Sequence, residues 1–498
     1  MSKRNFLFRF IASFAAFILM LGSNAVWAED TLPDLVNAGK QDAALAMIAQ
    51  GGDINQPSVD GTTALHWAVY RKDLAMVNIL LEQGADPDMA NDYGATPMTV
   101  ASEHGEFDIM KALVDAGGNI ESPNREGQTL LMAVARTGNT ETARLLLEHG
   151  ANVNTIENWG EQSALMWASS QQQPALVKLL IEHGADVNAR GRDHDWPRGI
   201  TSEPRNKPLE YGGLTPLLYA AREGCVACVD ALLDGGADIN LTDLDGQTPL
   251  IMALQNMHYD TANTLIERGA DIHRWDWYGR TALYSAIELN LIPSSRRGDL
   301  PSTDTHTALE IARTLLEMGA NVDMRLKKEP PPRAGGDRGY TDGTPDSRVL
   351  TGGATALIKA AKAADVEAVK LLLEYDARVD LANRVYEVTP LLSAAGVWRV
   401  YGIFIATPLS GEFTTGAQAL AVMQLLIDAG ADIFEQAANG QNIAHGAAKA
   451  GWNEVLQYAY DQGVNLNAPD VGGHTPRDLA ELVGHQDTIA FLDTLLNN

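Results

Sequence analysis

Cysteine is almost absent from this sequence, with two residues among 498. So low a number excludes a disulfide framework and a cysteine-rich zinc module. Basic residues are also scarce, because 37 Lys and Arg stand against 64 Asp and Glu and leave a formal net charge of −27. An acidic chain repels phosphate backbones, which argues against a general nucleic-acid-binding protein. Only the N-terminal segment is apolar enough to reach a membrane, while a hydrophobic content of 45% argues against a disordered chain.

The N-terminal segment has the layout of a secretory signal peptide. Basic residues precede an apolar run over residues 10–21, and Val26 and Ala28 then stand at the −3 and −1 positions of a small-residue cleavage site. We therefore expect residues 1–28 to be removed and the mature chain to act in the periplasm or outside the cell, with a bacterial envelope preferred. The alternative is an uncleaved anchor, although this run is short for a membrane span of about 20 residues. No membrane span is expected after cleavage.

Two short phrases recur with a period of 33 residues along the rest of the chain. One is Gly-Ala-Asp, as at Gly236 and Gly269, and the other is Thr-Pro-Leu, 21 residues earlier, at Thr215 and Thr248. Thr followed by Pro starts a helix, apolar residues at helical spacing predict two helices after it, and Gly ends the second one. The next stretch is then a loop or hairpin that leads to the following Thr. One such unit cannot bury its apolar face alone, so neighbouring units must stack.

These phrases resemble the ankyrin repeat, and the resemblance covers residues 31–498. It implies an all-α solenoid of about twelve helix-turn-helix units with short β-hairpin fingers, forming one repeat domain over residues 29–498. The first unit lacks the Thr-Pro phrase and is predicted to be an N-terminal cap. Asn442 starts one unit without Pro, and Asp376 replaces Gly at one helix end, so we expect these two units to be looser.

Four insertions interrupt the period, near residues 190–211, 290–306, 324–352 and 397–417. Long loops in a repeat array are commonly functional or disordered. The first insertion holds five basic and four acidic residues and the third holds six and four, so they are either basic fingers on an acidic body or solvated loops. The fourth is strongly apolar and must pack on the repeats or meet a partner.

The pair Cys225 and Cys228 has the CxxC spacing of redox sites and stands at the start of a predicted helix, where a thiol pKa is lowered. The repeat frame, however, places Cys228 at an apolar position, which favours a local disulfide or an inert pair. The run 193–195, Asp-His-Asp, lacks distant partners for a metal. Asp and Glu recur at loop positions, which predicts solvated tips rather than an acid–base pair. We therefore expect no catalytic residue, no cofactor and no metal site.

The ankyrin resemblance implies a protein–protein interaction scaffold rather than an enzyme, with another protein docking on the fingers and the concave face. Aromatic residues at the predicted finger tips are the candidate anchors, because exposed Trp and Tyr are enriched in binding hot spots. These candidates are Tyr93, Trp159, Trp196, Trp275, Trp277 and Tyr278, with Tyr211 a further ring. Alternatively, each ring lies flat on the neighbouring finger. The rival function is a redox-active or hydrolytic periplasmic protein that uses the cysteine pair or an insertion loop.

Overall fold

The computed structural model describes residues 30–193, 199–202, 205–208, 212–291, 303–328, 352–397 and 415–497. The predicted cleavage site at Ala28 lies outside these residues. The chain divides into two compact units, one ending at Arg125 and the other beginning at Glu126. Within the described residues, three helix pairs form the first unit and nine form the second. The predicted all-α solenoid of stacked helix-turn-helix units is therefore confirmed.

The helices alternate between the first and the second member of each pair. In the first unit they are α1 (Leu32–Asn37), α2 (Gln41–Ala49), α3 (Ala64–Tyr70), α4 (Leu74–Glu82), α5 (Pro97–His104) and α6 (Phe107–Asp115). In the second unit they are α7 (Leu130–Thr137), α8 (Thr140–Glu148), α9 (Ala164–Ser170), α10 (Pro174–Glu182), α11 (Pro216–Glu223), α12 (Val226–Asp234), α13 (Pro249–Gln255), α14 (Tyr259–Glu267), α15 (Ala282–Leu289), α16 (Ala308–Glu317), α17 (Ala356–Lys362), α18 (Val366–Glu374), α19 (Pro390–Ala394), α20 (Gly416–Asp428), α21 (Ile443–Ala450), α22 (Asn453–Asp461), α23 (Pro476–Val483) and α24 (Gln486–Leu496).

The first helix of a pair begins at a side-chain cap, as the Thr phrases predict. Thr215 Oγ1 accepts the Leu218 N–H at 3.2 Å, a type of bond that stabilises a helix by about 1 kcal/mol. Asn442 performs the same task without a following Pro, because its Oδ1 accepts the N–H groups of Ala444 and His445 at 3.1 and 3.3 Å. The unit that begins at Asn442 is therefore capped like its neighbours.

The two other departures from the pattern also keep the repeat geometry. Asp376 takes a φ of +60° where Gly319 takes +88°, so the Asp adopts the left-handed conformation that ends the helix. A left-handed non-Gly residue costs roughly 1–2 kcal/mol. The first unit starts at Thr31, whose N–H donates to Asp34 Oδ2 at 3.0 Å and whose Oγ1 accepts the Asp34 N–H at 3.4 Å. This unit lacks the Thr-Pro phrase because Pro33 stands two residues after the Thr instead of one, but it keeps the Thr cap.

The core consists of apolar side chains between the paired and stacked helices. In α9 and α10, the side chains of Leu165, Met166, Leu176 and Leu180 are fully buried. Burial of each such side chain contributes about 1.5–3 kcal/mol. Neighbouring pairs supply equivalent positions, so the core continues from pair to pair within the second unit.

A row of polar acceptors ties several of the segments that follow a second helix to the next such segment. We call the stretch between one helix pair and the next a hairpin segment. In the second unit, Asn154 Oδ1 accepts the Asp186 N–H at 2.8 Å, and the same bond recurs in later segments. In these later bonds, the N–H groups of Asp238, Asp271 and Arg378 donate to the side-chain oxygens of Asn188, Asn240 and Asp323, respectively, at 2.8–3.0 Å. We call these bonds the acceptor ladder.

The insertions are described only in part. Residues Gly199–Ser202 (β1) and Arg205–Pro208 (β2) pair antiparallel within the insertion at 190–211, for which the sequence leaves a basic finger or a solvated loop open. The end of the 290–306 insertion binds α14, because the N–H groups of Thr305 and His306 both donate to Asp260 at 2.9 Å. These bonds hold the pKa of Asp260 at about 2 against the opposing effect of burial. The apolar stretch of the fourth insertion, residues 398–405, lies outside the described residues. Across the described ranges, no helix combines the length and the apolar character that a membrane crossing requires.

Candidate interaction surface at the hairpin tips

The tip of the hairpin segment between α14 and α15 is held by a buried carboxylate. Asp276 Oδ1 accepts the N–H groups of Tyr278 and Arg280, both at 2.9 Å. Asp276 Oδ2 also accepts Arg280 Nε at 2.7 Å, and both side chains are almost fully buried. The expectation that acidic loop residues are solvated was wrong for this Asp, because its carboxylate is a structural part of the turn.

Neighbouring tips are joined by backbone hydrogen bonds. The Trp277 N–H donates to the Asp245 carbonyl at 2.8 Å, and the Lys327 N–H donates to the Tyr278 carbonyl at 2.8 Å. The Val471 N–H donates in the same way to the Asn439 carbonyl at 2.9 Å. Equivalent positions of successive tips are therefore held side by side within the second unit.

Five of these tips in the second unit present an exposed apolar side chain, and we call this set the tip row. The tip row comprises Trp159, Leu244, Trp277, Val385 and Val471, which are 82%, 42%, 44%, 55% and 79% exposed. In the first unit, described by itself, Val59 and Tyr93 are also exposed tip residues. Leu244, Trp277 and Val471 occupy equivalent positions, and Trp159 and Val385 lie one residue later in their turns. Large apolar side chains that recur at exposed tips mark an interaction surface more strongly than scattered ones.

The predicted aromatic anchors fall into three groups. Tyr93 and Trp159 are exposed at tips that belong to different units. Trp275, Trp277 and Tyr278 share one tip, with the two Trp side chains nearly half exposed and Tyr278 half-buried. Trp196 and Tyr211 lie outside the described residues.

Two lysines of the following hairpin segment contact these rings, and sequence analysis missed them. Lys327 Nζ lies 4.7 Å from the centroid of the Trp275 ring, and Lys328 Nζ lies 4.6 Å from that of Trp277. Such contacts contribute about 0.5–1 kcal/mol at exposed sites. The rings therefore pack in part on the next hairpin segment and remain nearly half exposed. The sequence conceals these contacts, because 24 residues inserted before Thr355 break the 33-residue period next to Lys328.

The cysteine pair lies away from the tips, at the beginning of α12. Cys225 and Cys228 are joined in a disulfide, and Cys228 is fully buried while Cys225 is 8% exposed. A reactive cysteine must be accessible to its substrate. The burial of Cys228 therefore counts against the redox alternative.

One carboxyl group within the hairpin segment after α20 has an unusual environment. Burial raises the pKa of Glu435 to about 7, although a hydrogen bond donated by the Thr389 hydroxyl acts in the opposite direction. Asp432 adds a smaller effect that also raises it. In the parts of the chain that the structure describes, no three His, Cys, Asp or Glu side chains are arranged to hold a metal ion.

Comparison with known proteins identifies the repeats along most of the chain. The family model described as ankyrin repeats (3 copies) matches residues 35–124, 117–191, 201–276 and 217–326, and the single ankyrin repeat model matches 352–384. Among curated proteins, potassium channel AKT1 of Arabidopsis thaliana is 35% identical over 72 residues, which are 14% of this chain and 8% of the channel. The chain thus matches less than a tenth of that relative's length.

Two solved structures show similar repeats. The human ASB11 ankyrin repeat domain is 24% identical, with a TM-score of 0.39, over 48% of this chain and 98% of that one. The ankyrin repeat domain of Bcl-3 is 26% identical, with a TM-score of 0.39, over 48% of this chain and 99% of that one.

Proposed function

The chain belongs to the ankyrin repeat family, whose domains are generally protein–protein interaction scaffolds, and we propose that it binds another protein through the tip row, outside the cytoplasm. The tip row itself is the observation that carries this proposal. Its apolar side chains stand at tips whose backbone groups are already bonded to one another, so the turns do not need these side chains to form. Exposed Trp and aliphatic side chains gain free energy when a partner removes them from water.

The tips are a stronger candidate than the face formed by the first helices of the pairs. Those helices bury most of their apolar residues, as Leu165 and Met166 of α9 illustrate. At the tips, by contrast, Trp159 and Val471 are about four-fifths exposed. A partner that spans several tips would bury such side chains together, as the core of a protein interface does.

The location outside the cytoplasm rests on the sequence of residues 1–28. A basic start, an apolar centre and the small residue Ala28 together are typical of a cleaved signal peptide. The disulfide between Cys225 and Cys228 is compatible with an oxidising compartment such as the periplasm. The proposed protein is thus an exported binding scaffold with no catalytic role.

Site-specific photo-crosslinking in the native envelope tests this function. A photo-reactive amino acid would replace Trp159 or Val471 at the tips and, as a control, the exposed Glu141 on α8. We expect the tip positions to crosslink to the same protein and the helix position to give no such product. Crosslinks from Glu141 alone, or none from either tip, would place the binding surface elsewhere.

A further inference from the structure

Within the described part of the second unit, the acceptor ladder lacks its bond at His273, as it also does at Asp380 and Phe434. On one side, Asn240 Oδ1 accepts the Asp271 N–H at 2.9 Å, and on the other side Asp323 Oδ1 accepts the Arg378 N–H at 3.0 Å. The residue between them in the repeat frame is His273, whose partner would be the Asn321 N–H. Within residues 212–291 and 303–328, the structure places no such bond between His273 and Asn321. The two hairpin segments are therefore joined at their tips, through the Tyr278 carbonyl, but not by a ladder bond at this step.

A cavity of about 170 Å³ lies at this interruption. Ile272, Trp275 and Met324 contribute apolar walls, while His273 and Asn321 stand where the ladder bond is missing. Binding sites for drug-sized ligands usually exceed about 300 Å³, whereas a cavity of about 150 Å³ holds a benzene ring. The cavity therefore matches a single side chain of the size of Leu or Phe.

The charge beside the cavity differs from that of the other hairpin segments. Residues 321–328 hold three basic side chains and one acidic one, whereas residues 238–247 hold three acidic side chains and no basic one. Lys327 and Lys328 form no salt bridge with any residue in the described part of the chain. Each ammonium group has three N–H donors, so contact with a Trp face leaves donors for an anion. Lys327 stacks on Trp275, which also lines the cavity, so the positive charge lies directly beside the apolar opening.

We propose that this cavity receives one apolar side chain from an acidic segment of a protein partner, with carboxylates of that segment paired to Lys327 and Lys328. The inference rests on the proposed function, because it assigns a chemical class to the partner that docks at the tips. A basic segment is disfavoured here although the chain as a whole is acidic, since the local charge is positive. The apolar side chain fills the space that the missing ladder bond leaves open, and the acidic neighbours supply orientation.

Peptide binding to the mature chain tests this inference. Three fluorescein-labelled peptides serve as probes: Asp-Asp-Glu-Phe-Glu-Asp-Asp, the same peptide with Ser in place of Phe, and Lys-Lys-Lys-Phe-Lys-Lys-Lys. Fluorescence anisotropy at low salt should show binding of the acidic Phe peptide, and the other two should bind about tenfold more weakly or worse. Binding should weaken as salt is added, because the ion pairs are exposed. Equal binding of the Ser peptide, preference for the basic peptide, or no binding up to about 1 mM would overturn the proposal.

Two variants assign the binding to this cavity. The double variant Lys327→Ala with Lys328→Ala should weaken the acidic Phe peptide about tenfold, whereas the charge-matched double variant Lys178→Ala with Lys370→Ala, on α10 and α18, should not. His273→Asn supplies the acceptor that Asn240 has, and we expect it to close the gap, keep or raise the melting temperature and weaken the peptide. Unchanged affinity in both cavity variants would overturn the inference. If tip crosslinks persist while all peptide results fail, the proposed function stands and only this inference is lost.

Discussion

The ammonium nitrogen of Lys328 lies 4.6 Å from the centroid of the Trp277 ring, and the two residues belong to successive hairpin segments. The Lys328 N–H also donates to the Tyr278 carbonyl at 3.2 Å, so the backbone fixes the position of the lysine beside the ring. Trp277 nevertheless remains 44% exposed. The ring is therefore oriented by its neighbour and still offers surface to a partner.

Replacement of Trp277 by Ala should weaken partner binding much more than it weakens the fold. We expect a loss of about 2 kcal/mol or more in binding and at most about 1 kcal/mol in the free energy of unfolding, since the lysine contact is exposed. Titration calorimetry with the partner that crosslinking identifies measures the binding free energy, and chemical denaturation measures the free energy of unfolding. Tyr460→Ala on α22 is the control, because this ring is 40% exposed but lies away from the tips. A destabilised fold with unchanged affinity would show that the ring only packs.

Replacement of Asp276 by Ala should destabilise the second unit strongly. The change leaves Arg280 buried without its partner at 2.7 Å and removes the acceptor of two backbone N–H groups. Breaking a buried pair in this way costs about 3–5 kcal/mol. Asp234→Ala breaks an exposed pair with Arg268 and should cost less than about 1 kcal/mol. Similar melting temperatures for the two variants would show that the Asp276–Arg280 pair does not hold the tip.

Glu435→Gln should change how stability depends on pH. Burial raises the pKa of Glu435 to about 7 in the folded chain, above roughly 4.3 in the unfolded chain. The folded state therefore holds the proton more tightly, and this contribution to stability is present below pH 4 and is lost as the pH rises to about 7. The Gln variant cannot ionise, so its melting temperature should gain a few degrees on that of the native chain between pH 4 and 8.

Thermal unfolding at several pH values checks the Glu435 prediction, with the exposed Glu182→Gln on α10 as the control. The control should follow the native curve at every pH. Parallel curves for Glu435→Gln and the native chain would refute the raised pKa.

Replacement of both Cys225 and Cys228 by Ala should lower the melting temperature only modestly and leave partner binding intact. The disulfide closes a loop with two residues inside, so its entropic contribution is well below the roughly 3 kcal/mol of a 15-residue loop. Calorimetry and the crosslinking assay measure the two effects. Loss of a measurable activity in a variant that keeps its fold would instead support the redox alternative.

The mature protein should begin at Glu29, since Ala28 ends the predicted signal peptide. Intact-mass measurement on protein from the envelope fraction tests this start. A species that keeps residues 1–28 would contradict the cleavage and support the membrane-anchor alternative.

Local signals in the sequence predict the repeats well, because the features that define a unit lie close together along the chain. Thr215 caps a helix through a residue three positions later, and Gly236 ends the next helix through its own backbone. The contact between Trp275 and Lys327 could not be predicted in this way, since an insertion and two helices, α15 and α16, separate the two. The interruption at His273 is visible in the sequence, where Asn, Asp or Glu holds most equivalent positions. The consequence of the His is known only from the structure, where Asn240 Oδ1 accepts the Asp271 N–H and so shows which bond His273 does not form.

The hydrogen bonds between successive tips make the fold of each turn independent of the side chain that the tip presents. The bond from the Trp277 N–H to the Asp245 carbonyl involves only main-chain atoms, and the turn beneath it is set by Asp276. The side chain at position 277 can therefore be exchanged without rebuilding the turn, and the same holds at Val471. Substitutions at single tips can thus change the binding preference while the turns and the helix stack keep their structure.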